Sequence, residues 1–195
     1  MKNMIVKKRS IVICILILSV IFYTGCGTTP VQNEKSHNNS VQDGDPIQKE
    51  RRFYEESGGF SIIPPETWQI EKVPSFEYRI LRKEGEFIVF VPETFKVQFN
   101  MHVDLVLEKL NTTEGENFSF IQRGDFVTLR NIKGEKIIYD ISMGGQVLRF
   151  FNYFLPGKDN VVMIITCATI PEKGHIYNEL FDKTVETFEW TDPSD

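Results

Sequence analysis

His102 and Asp104 stand two residues apart, and they are the local pair in this 195-residue chain best suited to chemistry. On an extended backbone, residues i and i+2 point to one side. An imidazole and a carboxylate so placed could begin a metal site or share a proton. A zinc centre takes three or four nitrogen or sulfur ligands. The remaining candidates, His37, His175 and Cys167, are scattered along the chain. Asp104 also has a rival role, since a short acidic side chain can cap the first turn of a helix. The pair is therefore expected to be structural, with His102 and Asp104 kept as weak metal candidates. Cys167 lies in the apolar run Val161–Thr169. A catalytic thiol needs an electropositive, partly exposed setting, so a buried, inert thiol is expected instead. Asp43-Gly44-Asp45 lacks the further acids of a calcium loop and reads as a solvated turn. The chain holds no Gly-x-Ser-x-Gly, phosphate loop, dinucleotide glycine pattern or His-Glu-x-x-His. The expectation is a protein that is not an enzyme and takes no cofactor. Hydrolysis by His102 or His175 with nearby acids is the last alternative.

The other reactive residue is Cys26. Residues 1–10 are basic, and Ile11 to Tyr23 form an apolar run of 13 residues broken only by Ser19. A spanning helix needs about 20 apolar residues, whereas a run of this length suits a signal peptide. Thr24-Gly25-Cys26 follows. The arrangement resembles the lipobox of bacterial lipoproteins, with Tyr23 where that motif usually carries Leu. The resemblance implies cleavage between Gly25 and Cys26 and diacylglycerol on the Cys26 thiol, giving a membrane-bound protein outside the cytoplasm. An uncleaved signal anchor is the alternative. With Cys14 in the leader and Cys26 lipidated, Cys167 has no disulfide partner.

The elements that must position these residues fall into unlike pieces. Removing the leader, with four basic residues and no acid, takes the net charge from −5 to −9. So acidic a remainder excludes a basic nucleic-acid binder. Residues 27–52 hold three large apolar residues and no aromatic. Such a stretch cannot offset its chain entropy and is expected to be a disordered tether. As a flexible linker its reach is on the order of 25–30 Å. The boundaries expected are 1–25 signal peptide, 26–52 lipidated cysteine and tether, 53–190 folded domain, and 191–195 tail.

Within 53–190, short β-type runs are separated by turn signals. Phe76–Arg82 and Glu86–Val91 flank Gly85, Phe126–Ile132 and Glu135–Ser142 flank Lys133-Gly134, and Gln146–Leu155 and Asn160–Thr169 flank Pro156 to Asp159. Connections this short imply antiparallel neighbours. Two segments have helical period: Val103, Val106, Leu107 and Leu110, and then Ile176, Tyr177, Leu180, Phe181, Val185 and Phe188. Phe150, Phe151, Tyr153 and Phe154 point to both faces of one strand and read as core if helices cover both faces. The class is α+β, an antiparallel sheet flanked by helices.

Tyr54 to Trp68, with its Gly-Phe and Pro-x-x-Trp elements, resembles the opening of PsbP-like domains. Gly134 to Tyr139 is similar to their Gly-x-x-x-x-Tyr strand, and Gln146 to Phe188 to their closing hairpin and carboxy-terminal helix. The family takes its name from an extrinsic photosystem II subunit, and many bacterial relatives are envelope lipoproteins. The resemblance implies an α/β/α sandwich and a non-catalytic habit, and says nothing of ligand or partner. The expected function is a lipid-anchored module at the cell or outer membrane that binds an envelope protein partner. A lipoprotein binding a small molecule or metal ion is the alternative.

Overall fold

The computed structural model describes residues 51–55, 58–72, 79–83 and 85–191. All belong to the second of the two units into which the chain divides, Gly44–Asp195. Gly25, Cys26, His37 and the leader and tether calls up to residue 50 lie outside the described residues, as do the first residues of the Phe76–Arg82 run.

The described chain builds two antiparallel sheets and two α-helices. The large sheet has strand order β3-β4-β5-β9-β8-β7-β6. Its strands are β3 (Gln69–Lys72), β4 (Arg79–Lys83), β5 (Glu86–Thr94), β6 (Phe118–Val127), β7 (Lys133–Met143), β8 (Gln146–Pro156) and β9 (Val161–Thr169). The small sheet places β2 (Phe60–Ile62) between β1 (Phe53–Glu55) and β10 (Glu189–Trp190). Helix α1 (Phe99–Glu114) joins β5 to β6, and α2 (Gly174–Glu186) follows β9.

Cross-strand partners share a face, so the register sorts the sheet into two sides. Ile88 and Phe90 on β5, Met163, Ile165 and Cys167 on β9, Phe151, Tyr153 and Leu155 on β8, and Ile138 on β7 look one way. Together with Phe181, Val185 and Phe188, and with Phe60, Ile62 and Trp68, they form the continuous core. Phe181 packs its ring against Phe151 at 5.4 Å and edge-on to Trp68 at 6.2 Å. The opposite side carries Val89, Val91, Ile137, Phe150, Phe154, Val162 and Ile164, all buried. Here α1 is attached and buries Val103 and Val106. Phe150, Phe151, Tyr153 and Phe154 are thus all core, two on each side.

Three expectations are corrected. Strand β6 ends at Val127, and Thr128–Ile132 form the turn that had been read as strand. Asn131 takes the left-handed conformation there (φ 60°), and Ile132 N–H donates to Thr128 Oγ1. Gly134 lies inside β7 because a Cβ would stand 2.2 Å from the Phe154 carbonyl oxygen. Close backbone approach, and not a turn, requires that glycine. Ile176 is the exception on the apolar stripe of α2, being 61% exposed.

The elements behind the PsbP resemblance are visible as packing. Trp68 N–H donates to the Pro65 carbonyl, closing a turn that drops the indole beside Tyr177 and Phe181. Tyr139, five residues after Gly134, stacks on Phe150 at 5.3 Å. The β8–β9 turn holds Asp159 and Asn160 at positive φ. Trp190 donates its indole N–H to the Pro156 carbonyl.

Candidate functional site

The structure separates the expected metal pair. Helix α1 begins at Phe99, so His102 and Asp104 are interior helical residues and point about 160° apart around its axis. The extended backbone on which the pairing rested is not present. Nor does Asp104 cap the helix: the N-cap is Gln98, which makes no side-chain cap bond. Asp104 Oδ1 instead accepts from Arg123 Nη1, and Arg123 Nε donates to Glu135 on β7. The hydrogen bond to Glu135, and then the one to Asp104, hold the Arg123 guanidinium protonated beyond its ordinary range.

His102 finds a different carboxylate. Its Nε2 lies 3.7 Å from Glu93 Oε2 on β5, too far for a hydrogen bond, and both side chains are nearly covered. The Phe95 ring lies 5.6 Å from the imidazole. Burial pushes the His102 pKa down. Burial also pushes the Glu93 carboxyl up, against the opposing pull of Lys109. Sequence reading missed Glu93 because nine residues and a change of element separate it from His102. Among the described residues, no three of His, Cys, Asp and Glu gather into a group that could hold a metal ion. His175 is exposed on the first turn of α2.

A second polar cluster lies under α2. Lys136 Nζ donates to Asp182 Oδ1 at 2.5 Å and to Asn178 Oδ1 at 2.7 Å. Tyr153 O–H donates to the same Asp182 oxygen at 2.8 Å. The ammonium stands 5.5 Å above the Phe151 ring centre and 5.2 Å from that of Tyr153. Burial, then the charges of Cys167 and Asp182, raise the Tyr153 phenol well above its ordinary pKa. Cys167, fully buried, is likewise raised well above a free thiol, chiefly by desolvation. A thiol so held is neither a nucleophile nor a metal ligand. These groups fix α2 to the sheet.

A third row crosses the sheet at the start of α2. Arg149 grips Asp140 with two hydrogen bonds of 2.9 Å, and Lys173 reaches Glu86 at 2.9 Å. Thr169 pairs with Arg149 across the ladder.

The described charges are thus largely spent on one another, on a frame of two helices around an antiparallel sheet. That architecture defines an α+β sandwich of the PsbP-like kind. Its fold is similar to that of the cyanobacterial PsbP, CyanoP, from Synechocystis sp. PCC 6803, with a TM-score of 0.55 at 11% identity, covering 71% of this chain and 91% of that one. It is also similar to the Saccharomyces cerevisiae Ran-binding protein Mog1p, with a TM-score of 0.53 at 12% identity, over 74% and 96% of the two chains. LpqN of Mycobacterium tuberculosis, involved in cell envelope biogenesis, aligns with a TM-score of 0.48 at 11% identity, over 68% and 83%. No family model matches the sequence, and no curated protein matches it. The domain therefore has a PsbP-like fold, a statement of architecture and not of ligand. No helix among the described residues is long and apolar enough to cross a membrane.

Proposed function

We propose that this chain is a lipid-anchored envelope protein whose PsbP-like domain works by binding a protein partner, without catalysis. The observation that carries this reading is Thr24-Gly25-Cys26 at the end of a basic, apolar leader, followed by a mostly polar stretch of 26 residues and then the domain. Two or three acyl chains on Cys26 hold such a protein firmly, since each buried CH₂ contributes about 0.8 kcal/mol. The mutual pairing of Lys136 with Asp182, Arg149 with Asp140 and Arg123 with Glu135 supports a scaffold role for these charges. Palmitate labelling tests the anchor: incorporation is expected in the parent chain and lost in Cys26→Ala, and labelling that survives the change refutes it. Crosslinking in intact cells tests the module, with a reproducible envelope partner expected.

The 3.7 Å approach of His102 Nε2 to Glu93 Oε2 favours a second reading, a metal-ion-binding lipoprotein. Two donors on one tetrahedral zinc stand about 3.3–3.5 Å apart, so this pair would have to close slightly and take its further ligands from outside the described residues or from water. Calorimetric titration with zinc decides it: heat that disappears in His102→Ala supports the reading, and no heat from the parent protein ends it.

A further inference from the structure

The β6–β7 turn presents an apolar tip that the domain makes no effort to cover. Leu129 is 74% exposed, the highest value among the large apolar side chains described. Nothing about the turn is slack. Thr128 and Asn131 close it by backbone hydrogen bonds, and Leu129 N–H donates to the Glu186 carbonyl at the end of α2 at 2.8 Å. The side chain is thus held out from a rigid base, with Val127 beside it 47% exposed.

The same pole is where the preceding chain enters. Arg52 Nη2 and Arg130 Nε both bind Glu189 Oε1, at 3.1 and 2.7 Å, so the first described residues and the tip of the turn share one carboxylate. Arg51, paired with Glu66, and exposed Lys133, opposite Val127, extend the basic rim. Three arginines thus engage two acids, Glu66 and Glu189, and exposed Lys133 adds a fourth cation, with Glu186 a further acid close in the chain to this pole. The chain beyond the leader carries −9 overall, so this concentration of positive charge runs against the rest.

An apolar tip ringed by Arg and Lys suits an anionic lipid surface. The side chain enters the acyl boundary while the cations meet headgroup phosphates. We propose that this pole, with Leu129 at its tip and the partly exposed Arg51 and exposed Arg130 and Lys133 around it, docks the domain onto the anionic bilayer that holds its lipid. The inference rests on the anchored reading for its supply of membrane. The polar stretch ends at Arg52, so along the chain this pole is the first part of the domain that the tether reaches. A tether raises the local concentration of surface so far that a weak contact suffices.

The test uses the full chain carrying Leu129→Trp, with its lipid, in vesicles containing brominated acyl chains, made with phosphatidylcholine alone or with added phosphatidylglycerol. The parent chain supplies the background from Trp68 and Trp190, and circular dichroism checks the fold. Emission from the introduced indole is expected to fall about twofold or more in anionic vesicles. Salt near 0.5 M is expected to restore it, since the Debye length then drops to roughly 4 Å. Lys133→Glu in the same background is expected to weaken the quenching. Equal emission in the two vesicle types, with the chain still floating on both, overturns docking and leaves the anchor standing. That is also the result if a protein covers Leu129. A chain that fails to float overturns the anchor and the docking together.

Discussion

The two faces of the large sheet are buried to a similar degree and held by different means. On the α2 face, Phe151, Tyr153, Ile165, Cys167 and Phe181 belong to one continuous apolar cluster, and the Lys136–Asp182–Tyr153 bonds run through its margin. On the α1 face, only Val103 and Val106 of the helix are fully covered, and the helix is attached by Asp104–Arg123 and by His102 beside Glu93. Met101 and Leu105 meanwhile remain about half exposed on its outer side. Stability should thus be concentrated under α2, while α1 should be the more readily displaced element.

Truncation gives the largest test of that contrast. Phe181→Ala is expected to cost about 3–5 kcal/mol, and Val106→Ala about 2 kcal/mol, measured by urea denaturation. Equal losses would mean that the two faces are energetically alike. Next come the charged ties. Lys136→Met strips Asp182 of its ammonium partner in a largely covered site and is expected to cost about 1–3 kcal/mol. Asp104→Ala removes the α1 partner of Arg123 at a residue 59% exposed while leaving the Arg123–Glu135 bond in place, and is expected to cost about 1 kcal/mol or less. A reversed order would place the stronger electrostatic tie on α1.

A smaller effect concerns pH. Burial holds the His102 pKa below its ordinary 6.5, so the unfolded chain takes up the proton first as the pH falls. Stability then declines below about pH 6.5, down toward the folded-state pKa. Glu93 acts in the opposite sense. Its raised pKa lets the folded state keep a proton in the window above 4.5, so acidification through that window adds stability. In His102→Gln the first contribution is gone, so the stability advantage of the parent over the variant should shrink as the pH drops below 6.5. Parallel pH profiles would show that His102 is not buried against its charged form. Smallest of all is Glu179→Gln. The bond from Lys183 is well formed at 2.7 Å but both partners are exposed, and no measurable change in Tm is expected.

What the sequence disclosed follows the same division. The α2 stripe was legible because Tyr177, Leu180, Phe181 and Val185 repeat at helical period over a full core, and the aromatic run on β8 because four rings cannot all be superficial. The α1 side was harder to read. A helix that buries little has a weak pattern, so its first turn, from Phe99, went unseen. Asp104 was then placed at a helix start when it lies inside. The β6 strand was missed because, at the edge of the sheet, it has one buried residue, Phe126, and a register shift near Ile121 that breaks the alternation. Gly134 suggested a turn, and only the nearness of the Phe154 carbonyl explains why it sits in a strand. Glu93 and His102 meet through tertiary structure alone, which no local spacing encodes.

The small sheet has a mechanical meaning. β10 pairs antiparallel with β2, Thr191 N–H donates to the Gly59 carbonyl, and Arg52 donates to the Thr187 carbonyl. The strand by which the described chain enters, β1, and the last described strand, β10, thus flank β2 on its two edges. A pull applied through the preceding chain meets the Arg52 bonds and the β1–β2–β10 ladder before it reaches the large sheet. Load arriving at Arg52 is shared at once with the segment following α2, and β2 passes it into the aromatic core through Phe60, which stacks on Phe90 and Phe188.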